Sequence, residues 1–363
     1  MIFIAAFLHW YNYYIILRNY LDEKSRGKMI LVTGAAGHLG NVLVRELLAQ
    51  GEQVRGLVLP GEDLTPLEGL DVEIFPGNIL DLERMIEACH EVDVVFHLAS
   101  LVAITPDMLD LMRRVNVEGT RNVIEAVRRT GVRRLVYTSS IHALQRPPAG
   151  VMIDERLAFD PNNPAGPYDQ TKAEASLLIL DAVRQGLDAV IVCPTGVIGP
   201  YDFKRSELGE MILAWMKKAP SFTVEGKFDF VDVRDIARGH ILAAESGRCG
   251  EVYLLSGEQI EVSQMRNLVQ KAAGVKTAEF KLPAAIAALL APLAEVYYRL
   301  SHQKPIFTRY SVETLRSNSL ISSRKATEEL GYQSRPVAAT IEDTVAWWKQ
   351  NRERTSSVLR GKA

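Results

Sequence analysis

The stretch MILVTGAAGHLGNVLVRELLAQG, Met29 to Gly51, leaves this chain few folds to choose from. Met29 to Thr33 is a short apolar run, the pattern of a strand buried on both faces. From His38 to Gln50 the apolar residues Leu39, Val42, Leu43, Leu47 and Leu48 recur at helical spacing, and Gly51 stops the pattern. Between strand and helix lies TGAAGHLG. Gly34 permits a tight turn, Gly37 lets a pyrophosphate approach the backbone, and Gly40 allows helix and strand to pack closely. The first helical turn offers N–H donors and a positive dipole end to phosphates. This order of elements predicts a dinucleotide-binding βαβ unit.

The alternation continues. QVRGLVL, VEIF, VDVVFHLA, RRLVYTS and LDAVIVCP read as strands, with helices from Asp81, over Met108 to Thr130 and over Tyr168 to Gln185. Such regularity predicts an α/β fold with a Rossmann-type, doubly wound parallel sheet. After Pro194 the regularity weakens. A helix is expected over Leu208 to Lys218. A strand end runs into a helix in FVDVRDIARGHILAAE, and EVYLLSG forms a late strand. Three more helices are expected: one capped by Ser263 and ending at Ala273, one over Ala284 to Leu300, one over Ala338 to Asn351. The expected division is a dinucleotide-binding core of residues 29–194 and 229–257, a smaller interleaved substrate-binding part of 195–228 and 258–351, and a polar, frayed tail of 352–363.

Residues 1–28 stand apart. IFIAAFLHWYNYYIIL, residues 2–17, is apolar but interrupted by His9 and Asn12, and it is short for a span of about 20 apolar residues. It has neither a basic n-region nor a small-residue cleavage site. Two readings stay open: a short anchor with Arg18, Lys24, Arg26 and Lys28 on the cytoplasmic side, or an upstream extension with the working protein starting at Met29. A hydrophobic content of 47% and a net charge of −2 fit a soluble globular protein and argue against a nucleic-acid partner. Cys89, Cys193 and Cys249 are far apart, as in a reducing cytoplasm, and the histidines show no zinc spacing.

A tyrosine and a lysine four residues apart occur twice, in YLDEK (Tyr20 to Lys24) and in GPYDQTK (Gly166 to Lys172). Spacing does not separate them, but context does. Tyr20 precedes every fold element, whereas Tyr168 opens a helix downstream of the dinucleotide loop.

The ordered set TGAAGHLG, PGNILD, VVFHLAS, VNVEGTRNVIEA, LVYTSS, YDQTK, CPTGVIGP and FVDVRDIARGH resembles the extended short-chain dehydrogenases/reductases, the NAD-dependent epimerase/dehydratase superfamily. The resemblance implies Tyr168 as general acid/base. Lys172, one helical turn later on the same face, would favour the tyrosinate and hold the nicotinamide ribose. It implies Ser140, in preference to Ser139, as hydrogen-bond donor to the substrate oxygen, and Asn116 as a support for the lysine. An NAD(P)(H) cofactor would contact Gly34, Gly37, His38, Leu39, Gly40, Asn78, Ile79, Leu98, Ala99, Lys172 and Pro194. His97 resembles a cofactor-lining position and is read as structural. The strand end LVLPGED offers neither an acid for a ribose 2′-hydroxyl nor an arginine for a 2′-phosphate, so that choice stays open.

Sugar-nucleotide members commonly carry an asparagine where CPTGVIGP has Thr195 and Gly196, whereas GKFDFVDVRD resembles dihydroflavonol reductase-like and 3β-hydroxysteroid dehydrogenase-like members. The expected reaction is hydride transfer between nicotinamide and a ketone or secondary alcohol on an apolar small molecule. A sugar-nucleotide epimerase/dehydratase and a non-catalytic NAD(P)-sensing protein are the alternatives. A homodimer is expected. The apolar stretch LPAAIAALLAPLAEVYYRL is read as a core or dimer-facing helix, or else as a substrate wall or a peripheral membrane contact.

Overall fold

A computed structural model describes residues 29–102, 108–148, 150–301 and 308–360. Both readings of residues 1–28, and the Tyr20–Lys24 pair, lie outside the described residues.

The first half runs β1 (Met29–Thr33), α1 (His38–Ala49), β2 (Gln53–Val58), β3 (Glu73–Pro76), α2 (Leu82–Ala88), β4 (Val92–His97), α3 (Leu109–Met112), a π-helical turn (Arg113–Glu118), α4 (Gly119–Thr130), β5 (Arg134–Thr138), α5 (Pro167–Arg184) and β6 (Ala189–Pro194). These strands and β10 form one seven-stranded sheet in the order β10-β6-β5-β4-β1-β2-β3. Every pairing in it is parallel. The chain reverses its direction of travel across the sheet between β1 and β4, the crevice where doubly wound sheets bind ligands.

Alternation explains the two-faced core. Ile30 and Val32 of β1 point to the α1 side, into a cluster with Val42, Leu43, Leu47 and Ile236. Leu31 points the other way, to Val123, Val127 and Ile179 of α4 and α5. Buried strands read as unbroken apolar runs for this reason.

The second half runs β7 (Gly196–Ile198), α6 (Glu207–Trp215), β8 (Ser221–Val224), β9 (Lys227–Asp232), α7 (Val233–Ser246), β10 (Val252–Leu255), β11 (Glu258–Glu261), α8 (Val262–Ala273), β12 (Glu279–Leu282), α9 (Ala284–Ser301), α10 (Arg309–Arg316), α11 (Arg324–Leu330) and α12 (Val337–Arg360). It adds two small sheets, β11-β9-β7 and β12-β8. The strand leading into α7 therefore pairs with β7 and β11 rather than with the large sheet. Helix α7 returns to pack on α1.

Two sequence expectations need correction. Glu261, not Ser263, caps α8: its carboxylate and Gln264 form a reciprocal capping box, and Ser263 lies inside the helix. Helix α12 runs on to Arg360, past the end expected for it at Asn351.

Candidate active site

The loop from β1 to α1 is built from backbone. Gly34 has φ +71°, and a Cβ there would meet Ala99 Cα at 3.0 Å, so only glycine lets the turn pass under β4's exit. A Cβ on Gly40 would lie 2.1 Å from the Gly34 carbonyl oxygen, which fixes how closely α1 sits against the turn. Gly37 differs. Its Cβ would touch only that same oxygen, at 3.1 Å, so its outer side is open space. Gly37 is the N-cap of α1, and no acidic residue occupies the first turn to neutralise the dipole. His38 is tied down by a bond between Nε2 and the Pro200 carbonyl, 2.9 Å. Leu39 is half-buried beside it.

A directed chain of hydrogen bonds braces the crevice. Thr33 Oγ1 accepts from the Leu98 and Ala99 N–H groups, each at 3.1 Å. It lies 2.8 Å from His97 Nδ1. At the other ring nitrogen, Nε2 is 3.0 Å from Thr120 Oγ1, whose own proton goes to the Asn116 carbonyl at 2.6 Å. Thr120 must therefore accept, so His97 carries its proton on Nε2 and accepts from Thr33 on Nδ1. Burial pushes the His97 imidazole down to about 3, which keeps it neutral. The geometry is that of a brace between Thr33 and Thr120.

Asn116 sits on the π-helical turn, whose extra residue per turn turns its amide inward. The amide takes the Leu101 N–H at 2.7 Å and donates to the Leu101 carbonyl at 3.0 Å and to Thr171 Oγ1 at 3.1 Å. It thus reaches the residue before Lys172 rather than the ammonium. Asn78 caps its own turn by accepting the Leu80 N–H at 2.9 Å. Ile79 is buried against Gly119, and Pro194 closes β6 beside Leu255.

The loop after β5 and the start of α5 bring three side chains together. Ser140 projects beyond the carboxyl end of β5, its hydroxyl accepting the His142 N–H at 3.2 Å and lying near enough to the Tyr168 phenol to act on its acidity. Ser139 faces the other way, 2.7 Å from Ser176 Oγ inside the packing of α5. Lys172, one turn after Tyr168, is buried, and its Nζ donates to the Thr138 carbonyl at 2.5 Å. The ammonium also lies 4.8 Å from the centre of the Tyr137 ring. Burial lowers its pKa to about 7. Burial likewise raises the Tyr168 phenol well above its usual value, with the nearby Ser140 hydroxyl opposing and the neighbouring Asp169 carboxylate reinforcing the rise. The phenol is therefore a held proton, with a hydroxyl to align it and a cation whose charge changes near neutrality.

A second group of residues, silent in the sequence, adjoins Tyr168. Asp169 is fully buried, accepts from Tyr310 Oη at 2.8 Å and pairs with Arg146 at 3.1 Å. Arg146 also holds Glu313 at 2.9 Å. Burial raises the Asp169 carboxyl to about 6 despite both partners. His142 stacks flat on Phe228, 5.7 Å between ring centres, and tilts against Tyr310 at 6.0 Å. In the sequence Asp169 looks like an ordinary acidic residue in a helix's first turn. Nothing local marks Arg146 or Tyr310, because the contact closes over 141 residues.

Comparison with known proteins gives this arrangement its family. A sequence model described as the NAD dependent epimerase/dehydratase family matches residues 30–256. The sterol demethylase protein B of Methylococcus capsulatus is 36% identical, over 88% of this chain and 98% of its own length. A putative dihydroflavonol 4-reductase of Synechocystis is 30% identical, over 88% and 94%. The chain belongs to the NAD-dependent epimerase/dehydratase family.

Solved structures agree on the architecture. That of gox2253 superposes with a TM-score of 0.77 at 33% identity, covering 90% of this chain and 99% of that one. The dTDP-glucose 4,6-dehydratase DesIV of Streptomyces venezuelae, with NAD bound, gives 0.73 over 90% and 98% at 21% identity, a likeness of fold. As a family member the chain is an NAD(P)-dependent enzyme of the extended short-chain dehydrogenase/reductase type. Its residues fit the dinucleotide: a tight glycine turn, an open flank at Gly37 and an α1 N-terminus free of acidic residues. Arg55, the nearest arginine on β2, is engaged with Glu73 at 2.7 Å and with the Ala88 and His90 carbonyls, each at 2.9 Å. It reads no 2′ group.

Proposed function

We propose that this protein is an NAD(P)-dependent reductase of a ketone, or dehydrogenase of the matching secondary alcohol, on an apolar substrate. The observation that carries this reading is the grouping of Ser140, Tyr168 and, one turn behind, the buried Lys172 ammonium at the carboxyl end of β5. The bound dinucleotide supplies or accepts the hydride at nicotinamide C4. Ser140 orients the substrate oxygen toward the phenol. Tyr168 delivers its proton to that oxygen in reduction and removes it in oxidation. Lys172 offsets the charge left on the phenolate and is placed to hold the ribose. Asn116 keeps the Leu101 loop and Thr171 in register with the lysine. The glycine loop with His38 and Leu39, and the flanks at Asn78, Ile79, Leu98, Ala99 and Pro194, form the dinucleotide's bed.

Tyr310, bonded to Asp169 beside the proton donor, leads on to two further rings, His142 and Phe228, a row that suits an apolar substrate. The relatives point the same way. Their names include a sterol demethylase, a dihydroflavonol reductase and, in Stigmatella aurantiaca, a ketoreductase of a farnesylated quinoline oxide at 30% identity over 84% of this chain. We place the enzyme in the cytoplasm, as a homodimer and in peripheral contact with a membrane. Exposed Leu111 and Leu177, on neighbouring helices bridged by Arg113 and Glu174 at 2.6 Å, suit a helical dimer face.

The test is hydride transfer from NADH and from NADPH to a panel of cyclic and long-chain ketones. Tyr168→Phe should lower turnover by about 10²–10⁴-fold with dinucleotide binding intact. Parent-like turnover in that variant sinks the mechanism, and turnover of nucleotide sugars in place of ketones sinks the substrate class.

A further inference from the structure

The ribbon of β8 and β12 with helix α9 leaves an apolar face without a partner among the described residues. Inner residues Ala287 and Ala291 of α9 pack on Val312 of α10, with Val224 and Leu282 of the ribbon against them. The outer face of the same helix is also apolar. Leu289 is 76% exposed and Leu293 69%, with Ile286 and Leu290 beside them. On the ribbon, Phe222 and Phe280 stand opposite each other, 5.3 Å between ring centres, and Phe222 is 73% exposed. They share the ribbon face of Val224 and Leu282, two residues along, so they flank α9.

Charge says what covers this face. β8 and β12 are parallel, with Ser221 opposite Glu279, so the turns entering both strands lie at one end of the ribbon. Those turns carry Lys217, Lys218 and Lys276, all exposed, at the end where the two phenylalanines project. None of the three has a carboxylate partner among the described residues. The chain as a whole carries −2, so this cationic rim is local. A second copy related by a two-fold axis would bring the same patch, with the same three uncompensated lysines, and so offers these ammonium groups no added negative charge. A bilayer with anionic headgroups accepts both features, rings and leucines in its interface and ammonium groups at its phosphates. No described helix is long and apolar enough to cross a membrane.

We propose that α9, Phe222 and Phe280 form an interfacial docking surface for anionic lipid membranes, with Lys217, Lys218 and Lys276 as its electrostatic rim. This deepens the apolar-substrate reading above and rests on it for purpose. Helix α10, on the inner side of α9, carries Tyr310 to Asp169 beside the proton donor, so the docked face lies one helix from the site.

The experiment is flotation of the full chain with vesicles of phosphatidylcholine alone and of phosphatidylcholine with phosphatidylglycerol. The parent should partition onto the anionic vesicles and be released by salt. Phe222→Ser combined with Leu289→Gln and Leu293→Gln should cut the partition coefficient by about tenfold or more. Replacing the three lysines by glutamate should abolish the preference for the anionic vesicles. Dinucleotide binding of each variant reports folding, and Leu289→Gln alone serves if the triple variant does not fold.

Equal partition of parent and apolar variants overturns the proposal, as does a parent that stays in solution. A parent dimer that the apolar substitutions dissociate overturns it in favour of a second copy. Turnover of a water-soluble ketone without vesicles is read separately, so a failed membrane contact and a failed reductase reading remain distinct.

Discussion

The two walls of the proposed active-site crevice, one assigned to the cofactor and one to the substrate, are made of different material. The cofactor wall is backbone, glycine and neutral hydrogen bonds: the turn at Gly34, the open flank at Gly37, and the chain from Leu98 through Thr33 and His97 to Asn116. The substrate wall holds ionisable groups in buried surroundings: Tyr168, Lys172, Asp169, Arg146 and Tyr310. A cofactor that every turnover shares is best met by a rigid, pre-set surface. Proton transfer needs groups whose charge can change, and burial brings Lys172 and Asp169 toward working pH while it carries the Tyr168 phenol further above it. The difference teaches where stability and function trade against each other, and it can be attacked experimentally.

Acid gives the largest expected effect. Burial lowers His240 and His142 to about 4 and His97 to about 3. Their folded values lie below the ordinary 6.5, so their contribution is present above pH 6.5 and is lost as pH falls through 4. His240 and His97 brace the large sheet, through Thr138 at 2.8 Å and Thr33 at 2.8 Å. On the substrate wall Asp169 works in the opposite sense. Its folded value of about 6 exceeds the ordinary 3.8, so its contribution is present below pH 3.8 and is lost as pH rises through 6. Between pH 6.5 and 4 the sheet should lose on the order of a few kcal/mol, while His142 and Asp169 oppose each other on the substrate wall. Hydrogen exchange should show β1, β4 and α7 opening before α10. The reverse order would break the comparison.

A pair of substitutions sharpens the cofactor wall. Gly40→Ala drives a methyl against the Gly34 carbonyl oxygen, backbone against backbone, and should cost about 1–3 kcal/mol of stability together with dinucleotide binding. Gly37→Ala meets the same oxygen at 3.1 Å, a tight but far milder contact, and no other atom within 4 Å, so it should cost much less stability than Gly40→Ala. Its methyl stands on the flank reserved for the pyrophosphate, so dinucleotide affinity should fall about tenfold. Thermal melting and dinucleotide titration separate the two, and an unstable Gly37→Ala protein would contradict the open flank.

The walls also differ in how far the sequence reveals them. The cofactor wall is local: strand, glycines and helix fall within Met29 to Ala49, and steric demands on glycine leave a trace in the residue itself. The large sheet was legible for a similar reason, since strands buried on both faces are continuous apolar runs. The small sheets were not. Strands β7, β8, β11 and β12 are three or four residues long and make sense only against partners far along the chain. Ser140 and Tyr168 could be named because they sit in matching motifs. Asp169 could not, because its meaning comes from Arg146 and Tyr310, which no periodicity links to it.

Asp169→Asn gives the smallest change and asks the most pointed question. The raised carboxyl value means that the charged form is disfavoured in the fold, even beside Arg146 and Tyr310. An asparagine matches the acid in size and keeps one acceptor oxygen for Tyr310, while Arg146 gives up its Asp169 oxygen and keeps Glu313 as its counterion. Replacement should therefore leave stability unchanged below pH 3.8 and raise it by about 1 kcal/mol above pH 6. Activity should move the other way. The Asp169 carboxylate raises the Tyr168 phenol, so its removal should shift the basic limb of the pH–rate profile downward and erase any limb near pH 6. A side chain of purely structural value would lower stability and leave the profile where it was. A variant that is more stable, yet displaced in its profile, would mean that the substrate wall keeps a buried charge at the expense of stability, because that charge sets the acidity of the proton donor beside it.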